Sequence, residues 1–89
     1  MVEQILVAMA KENAFCRAEI EWMHLFEEKE IPPYWHVYFI SRNDPIIRYP
    51  LDKARGGQRR FKTIDAAYAA ITKIADGRVR DVRIIPEPW

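Results

Sequence analysis

Eighty-nine residues suffice for one domain with a single modest core, at a size where surface-to-volume scaling leaves little stability in reserve. With 49% apolar and 30% charged residues the composition is that of a globular protein, which excludes a disordered chain, and the lone Cys16 excludes an internal disulfide. The net charge of +1 hides an asymmetry: residues 1–32 carry seven acidic against three basic side chains, and residues 33–89 carry eleven basic against six acidic.

The opening MVEQILVAMAKE has Glu3 near its start and lacks a basic region, a long apolar run and a cleavage site, so it reads as neither secretion signal nor membrane span. Together with the single cysteine this points to the cytoplasm. From Val2 to about Lys29 the apolar residues fall at helical spacing: Val2, Ile5, Leu6 and Met9 share a stripe, which Phe15, Cys16, Ile20, Trp22, Met23 and Phe26 resume. If the segment is two helices, the polar run Lys11, Glu12, Asn13 is the natural break. Pro32 and Pro33 then end it.

YWHVYFI, residues 34–40, is the strongest strand signal, with large residues on both faces, and is expected to lie centrally in its sheet. SRNDP reads as a turn, IIRYPL as a second strand that Pro50 marks as an edge, and Gly56-Gly57 as the turn before a short third strand, RRFK. Thr63 is placed to cap a helix from Ile64 to about Asp76, with Asp65 favourable at its positive end and Gly77 at its close. VRDVRII forms the last strand. The expected fold is therefore α+β in the order α-β-β-β-α-β: a two-layer sandwich whose small, mostly antiparallel sheet has about four strands. The acidic helical segment, residues 1–30, would pack on the unit formed by 34–89 within one domain.

Catalysis has little support in the sequence. There are two histidines, no Gly-rich nucleotide loop, no nucleophile elbow and no second cysteine for a metal pair, so neither an enzyme nor a cofactor is expected. Glu21 and His24 stand three apart, as in half of a di-iron site, but the pattern occurs once where such a site needs it twice. Cys16, on the apolar stripe, reads as a small core residue.

Binding is better supported. Because side chains alternate across a strand, placing Trp35, Val37 and Phe39 toward the helices sends Tyr34, His36, Tyr38 and Ile40 to the other face. The same sorting turns Ile47, Tyr49, Leu51, Phe61, Val82 and Ile84 inward, and gathers His36, Tyr38, Arg48, Arg60, Lys62 and Arg83 outside. Aromatic rings beside guanidinium groups on an open sheet suit single-stranded nucleic acid, with bases on the rings and phosphates on the cations. The same residues also suit an ordinary solvent face, since Tyr favours strands and Arg covers apolar area with its stem. KARGGQRRFK, residues 53–62, adds Lys53, Arg55 and Arg59 to Arg60 and Lys62 with no acidic residue among them. It reads as a hairpin turn whose charges reach phosphate or an acidic partner, and the Walker pattern is absent because no Gly-Lys-Ser/Thr follows.

The competing surface is acidic and aromatic. Glu19, Glu27 and their acidic neighbours, with Trp22 and Phe26 on the same segment, could mimic nucleic acid or dock into a basic cleft of another protein. Exposure of Trp22 and Trp89 would favour that reading, because tryptophan is enriched in interface hot spots.

Across residues 35 to 85, WHVYF, a leucine before Ala-Arg-Gly, the Arg-x-Phe-Lys run and a helix opening Ile-Asp-Ala-Ala are together similar to small accessory proteins of bacterial plasmids and integrative elements, some labelled replication-associated. The positions that match are Arg55, Gly56, Arg60 and Phe61, with Phe61 and Asp65 in structural roles. The resemblance implies a mobile-element accessory protein working on DNA or on a host defence complex, as a nucleic-acid binder or as an inhibitor of the anti-CRISPR kind. It implies no catalytic residue.

Overall fold

The computed structural model of the protein describes residues 1–23 and 34–85. Two helices, α1 (Glu3–Lys11) and α2 (Ile64–Ala75), lie on one face of a four-stranded sheet made of β1 (Phe15–Met23), β2 (Tyr34–Ser41), β3 (Arg48–Pro50) and β4 (Val82–Ile85). The element order α-β-β-β-α-β and the α+β class are those expected from the sequence. The spatial order is β3-β2-β1-β4, with β1–β2 and β2–β3 antiparallel and β1–β4 parallel, so the sheet is mixed.

The membership of the strands differs from expectation at two places. The first helix stops at Lys11, and Asn13 takes a positive φ of 58° at the polar run that marked a break, after which the chain becomes β1 instead of a second helix. The apolar residues of β1 fit helical spacing because a bulge at Cys16 shifts the strand phase: Phe15 faces Ser41 and Arg17 faces Ile40. Beyond the bulge Ala18, Ile20 and Trp22 alternate with Glu19 and Glu21, which is strand periodicity. The second difference is RRFK, which forms no strand. It returns to the sheet for a single bridge, in which Trp35 and Phe61 exchange backbone hydrogen bonds of 2.8 and 2.9 Å. The stretch from His24 to Pro33, with Phe26 and Glu27, and the stretch from Pro86 to Trp89 lie outside the described residues.

The core forms between the helices and one sheet face. Leu6 and Ala10 of α1 and Ala67, Ala70, Ile71 and Ile74 of α2 close over Phe15, Ala18, Ile20, Val37, Phe39, Leu51 and Phe61. The pleat expected for β2 holds there: Val37 and Phe39 are wholly buried, and Trp35 packs against the same cluster. Phe15 and Phe39 stack at 5.0 Å between ring centroids. The Thr63 hydroxyl accepts the Ala66 N–H at 3.1 Å and caps α2, while Asp76 (φ 50°) and Gly77 (φ 79°) unwind its end. Of the residues expected inside, Tyr49 and Leu51 are, but Ile47 is exposed in the turn before β3. No helix among the described residues is long and apolar enough to cross a membrane.

Candidate functional site

The edge of the sheet beside β2 is interrupted, and the interruption carries the basic segment. β3 pairs with residues 38–40, Leu51 donates its N–H to Val37 at 3.0 Å, and the chain then leaves the sheet until Phe61 meets Trp35. Between these points residues 52–58 form a closed loop. Asp52 bridges Gln58, the Lys53 N–H donates to the Gly57 carbonyl at 3.0 Å, and the Arg59 N–H donates to Leu51 at 2.9 Å. Gly56 (φ 66°) and Gly57 (φ 77°) both occupy left-handed backbone conformations that other residues enter at a cost, which explains the pair. Both are exposed, and a Cβ built on either would meet nothing within 4 Å. The expected hairpin turn is thus present as an excursion from an edge, with a shallow cleft between Lys53, Ala54, Arg59 and the first residues of α1.

Lys53, Arg55, Arg59, Arg60 and Lys62 are all exposed, and among the described residues none makes an ion pair. Arg59 lies over the Phe61 ring at 4.9 Å and Arg60 over the Tyr34 ring at 4.5 Å, so two of the five guanidinium and ammonium groups are steadied from below by aromatic faces. These contacts lower the freedom lost when an anion binds.

The open sheet face differs from a stacking platform. Strand register places Arg17, Glu19, Glu21 and Met23 of β1 opposite Ile40, Tyr38, His36 and Tyr34 of β2, with Arg48 beside Ile40 and Arg83 beside Glu19. His36, Tyr38, Arg48 and Arg83 therefore share this face, as the pleat requires, and Arg60 reaches it through Tyr34. Two carboxylates stand in the middle of it. Glu19 is buried and accepts from Arg17 Nε through one oxygen and from Arg48 Nε through the other, both at 3.1 Å, and Arg48 also lies 3.6 Å from Glu21. Arg48 covers the Tyr38 ring at 3.8 Å, and Arg83 pairs with Asp81 at 3.4 Å. Arg48 and Arg83 are thus engaged within the protein, unlike the loop cations.

His36 is 7% exposed, with its ring 5.0 Å from that of Tyr34 and 6.4 Å from that of Tyr38, and neither ring nitrogen has a hydrogen-bond partner. Burial pulls its pKa below the usual 6.5, the Arg60 charge lowers it further and the Glu21 carboxylate opposes both, so the imidazole is neutral at pH 7. As a stacking residue it is closed off, which corrects the role expected for it.

The acidic segment is also rearranged. Glu19 and Trp22 belong to a strand and point to opposite faces, so they do not form one helical surface. Trp22 is nonetheless 41% exposed and meets Trp35 edge-on at 4.7 Å between centroids. Glu19 as the organiser of the outer face was missed in the sequence; the alternation of Glu19 and Glu21 with Ala18, Ile20 and Trp22 was the available signal. No group of three or more histidine, cysteine, aspartate or glutamate side chains among the described residues could hold a metal ion. No protein-family description, curated protein or solved structure matches the chain.

Proposed function

We propose that the protein is a non-catalytic nucleic-acid-binding accessory protein that grips phosphates through Lys53, Arg55, Arg59, Arg60 and Lys62. The observation that carries this reading is the contrast in pairing: the loop cations are exposed and unpaired among the described residues, while Arg17, Arg48 and Arg83 are held by carboxylates. Unpaired cations on a hydrogen-bonded loop can neutralise phosphates and release the counterions condensed on the nucleic acid, and that release is the main source of sequence-independent affinity. The resemblance of residues 35 to 85 to small plasmid and integrative-element proteins supports reading it as an accessory of a bacterial mobile element, acting in the cytoplasm. The test is fluorescence anisotropy of labelled DNA and RNA at low and physiological salt, with Arg59 and Arg60 both changed to Glu as the control. Salt-sensitive binding that is lost in the control supports the reading, and absence of binding at low salt refutes it.

A second reading rests on Trp22. Its exposed indole, braced by Trp35, has the character of an interface anchor, so the alternative is a protein-binding inhibitor or adaptor acting on a host nucleic-acid enzyme. Such an interface would respond little to salt and would weaken on Trp22→Ala.

A further inference from the structure

Resting on the nucleic-acid reading, we infer that the loop takes duplex nucleic acid through its phosphate backbone, and that single strands are the poorer ligands because, among the described residues, no ring on the outer face of β2 is open to a base.

Recognition of single strands depends on rings that bases can cover. Three rings of β2 face away from the helices, those of Tyr34, His36 and Tyr38. Tyr34 and His36 are each 7% exposed. The half-buried Tyr38 has the Arg48 guanidinium 3.8 Å above its centroid, and Arg48 is fixed there by Glu19 and Glu21. The Arg60 guanidinium lies over Tyr34 at 4.5 Å. To stack a base on Tyr38, the protein would have to break the hydrogen bond and ion pair of Arg48 and expose the buried Glu19 carboxylate. The carboxylates would also stand beside the incoming phosphates. On this face single-strand binding is therefore limited to the charge term, without the contribution that base stacking adds.

The loop has the opposite character. Its tip is exposed at Gly56 and Gly57, where the absence of side chains lets backbone approach a surface closely, and the segment around it presents the five cations. A duplex offers one negative charge per roughly 1.7 Å of axis, on two strands that line a groove, so an exposed basic loop meets more phosphate there than on a single strand. If all five cations engage duplex phosphates, the slope of log affinity against log salt is about −4.5, which is about a 500-fold loss between about 50 and 200 mM salt.

The test compares a fluorescein-labelled DNA duplex, an RNA duplex of the same sequence and each separated strand, binding to the full chain over that salt range. Three proteins are titrated: the natural sequence, Arg55→Glu and Tyr38→Leu. Arg55 lies on the exposed loop away from the core, so its substitution leaves folding intact, which circular dichroism verifies for all three. The expected result is duplex binding at least about tenfold tighter than single-strand binding, reduced by Arg55→Glu together with its salt slope and unchanged within about twofold by Tyr38→Leu. Preference for one duplex over the other separates DNA from RNA as the ligand. Single strands bound as tightly as duplexes, or a loss of about fivefold or more on Tyr38→Leu, would overturn the duplex inference while leaving a nucleic-acid binder. Failure of every probe to bind at low salt overturns both readings.

Discussion

Glu19→Gln probes the structure where its sheet face is most constrained. The side chain is buried, one carboxylate oxygen accepts from Arg17 and the other from Arg48, each at 3.1 Å. A hydrogen bond to a charged partner contributes about 1.5–3 kcal/mol, and glutamine keeps the shape with one acceptor in place of two. It also turns an amide donor toward a guanidinium that is itself only a donor. Against this, Arg48 retains Glu21 at 3.6 Å, and the Arg17 and Arg48 side chains are 22% and 35% exposed, so water replaces part of what is lost. The net destabilisation is about 1–2 kcal/mol, below the 3–5 kcal/mol of a fully buried pair. For a domain of this size that lowers Tm by about 4–16 °C. Thermal unfolding followed by circular dichroism reads the change, and a double-mutant cycle with Arg17→Met isolates the coupling, expected at about 0.5 kcal/mol or more. A Tm unchanged within about 2 °C, the behaviour of an ordinary surface position, would refute the bridging role of Glu19.

Lowering the pH should destabilise the fold through His36. Its folded pKa lies below 6.5, so the unfolded chain binds the extra proton first, and the stability lost as pH falls begins at that value and continues down to the folded pKa. Urea unfolding above and below pH 6.5 checks this, and His36→Leu should remove that part of the pH dependence; an identical slope in the variant would exclude His36 as its source. Gly57→Ala has room for its methyl group but not the backbone freedom, because φ is 77°, so it should cost about 1–2 kcal/mol by chemical denaturation. No loss would mean that the loop relaxes. Thr63→Ala removes the hydroxyl that accepts the Ala66 N–H and should cost about 1 kcal/mol, whereas Thr63→Ser should cost less.

The parts of the fold that were legible in the sequence are those where one local signal dominates. Thr63, Asp65 and Gly77 bracket α2, and the aromatic, β-branched density of residues 34–40 marks the central strand β2. Pro50 marks the edge, because it has no N–H to give to a ladder. Residues 15–23 were misread because the bulge at Cys16 inserts one residue into a strand whose alternation is otherwise regular, and the resulting spacing also satisfies a helix. The consequence reached the site: with Glu19 and Glu21 on a strand, the outer face gained two carboxylates, and Arg48 passed from a free cation to an internal partner. Burial of Tyr34 and His36 depends on neighbours far apart in the chain, such as Arg60 over Tyr34, and no local pattern contains it. The loop cations were legible because exposure and lack of acidic neighbours are both properties of one contiguous segment.

The central claim, that residues 53–62 are the phosphate-gripping surface, is tested most directly by mapping amide chemical shifts while an unlabelled DNA duplex is titrated into the isotope-labelled protein. The account predicts that the first and largest shifts fall between Lys53 and Lys62, beginning at the open turn of Gly56 and Gly57, and fade as salt is added. Shifts centred instead on Trp22 and Trp35, or no shifts at low salt, would contradict it.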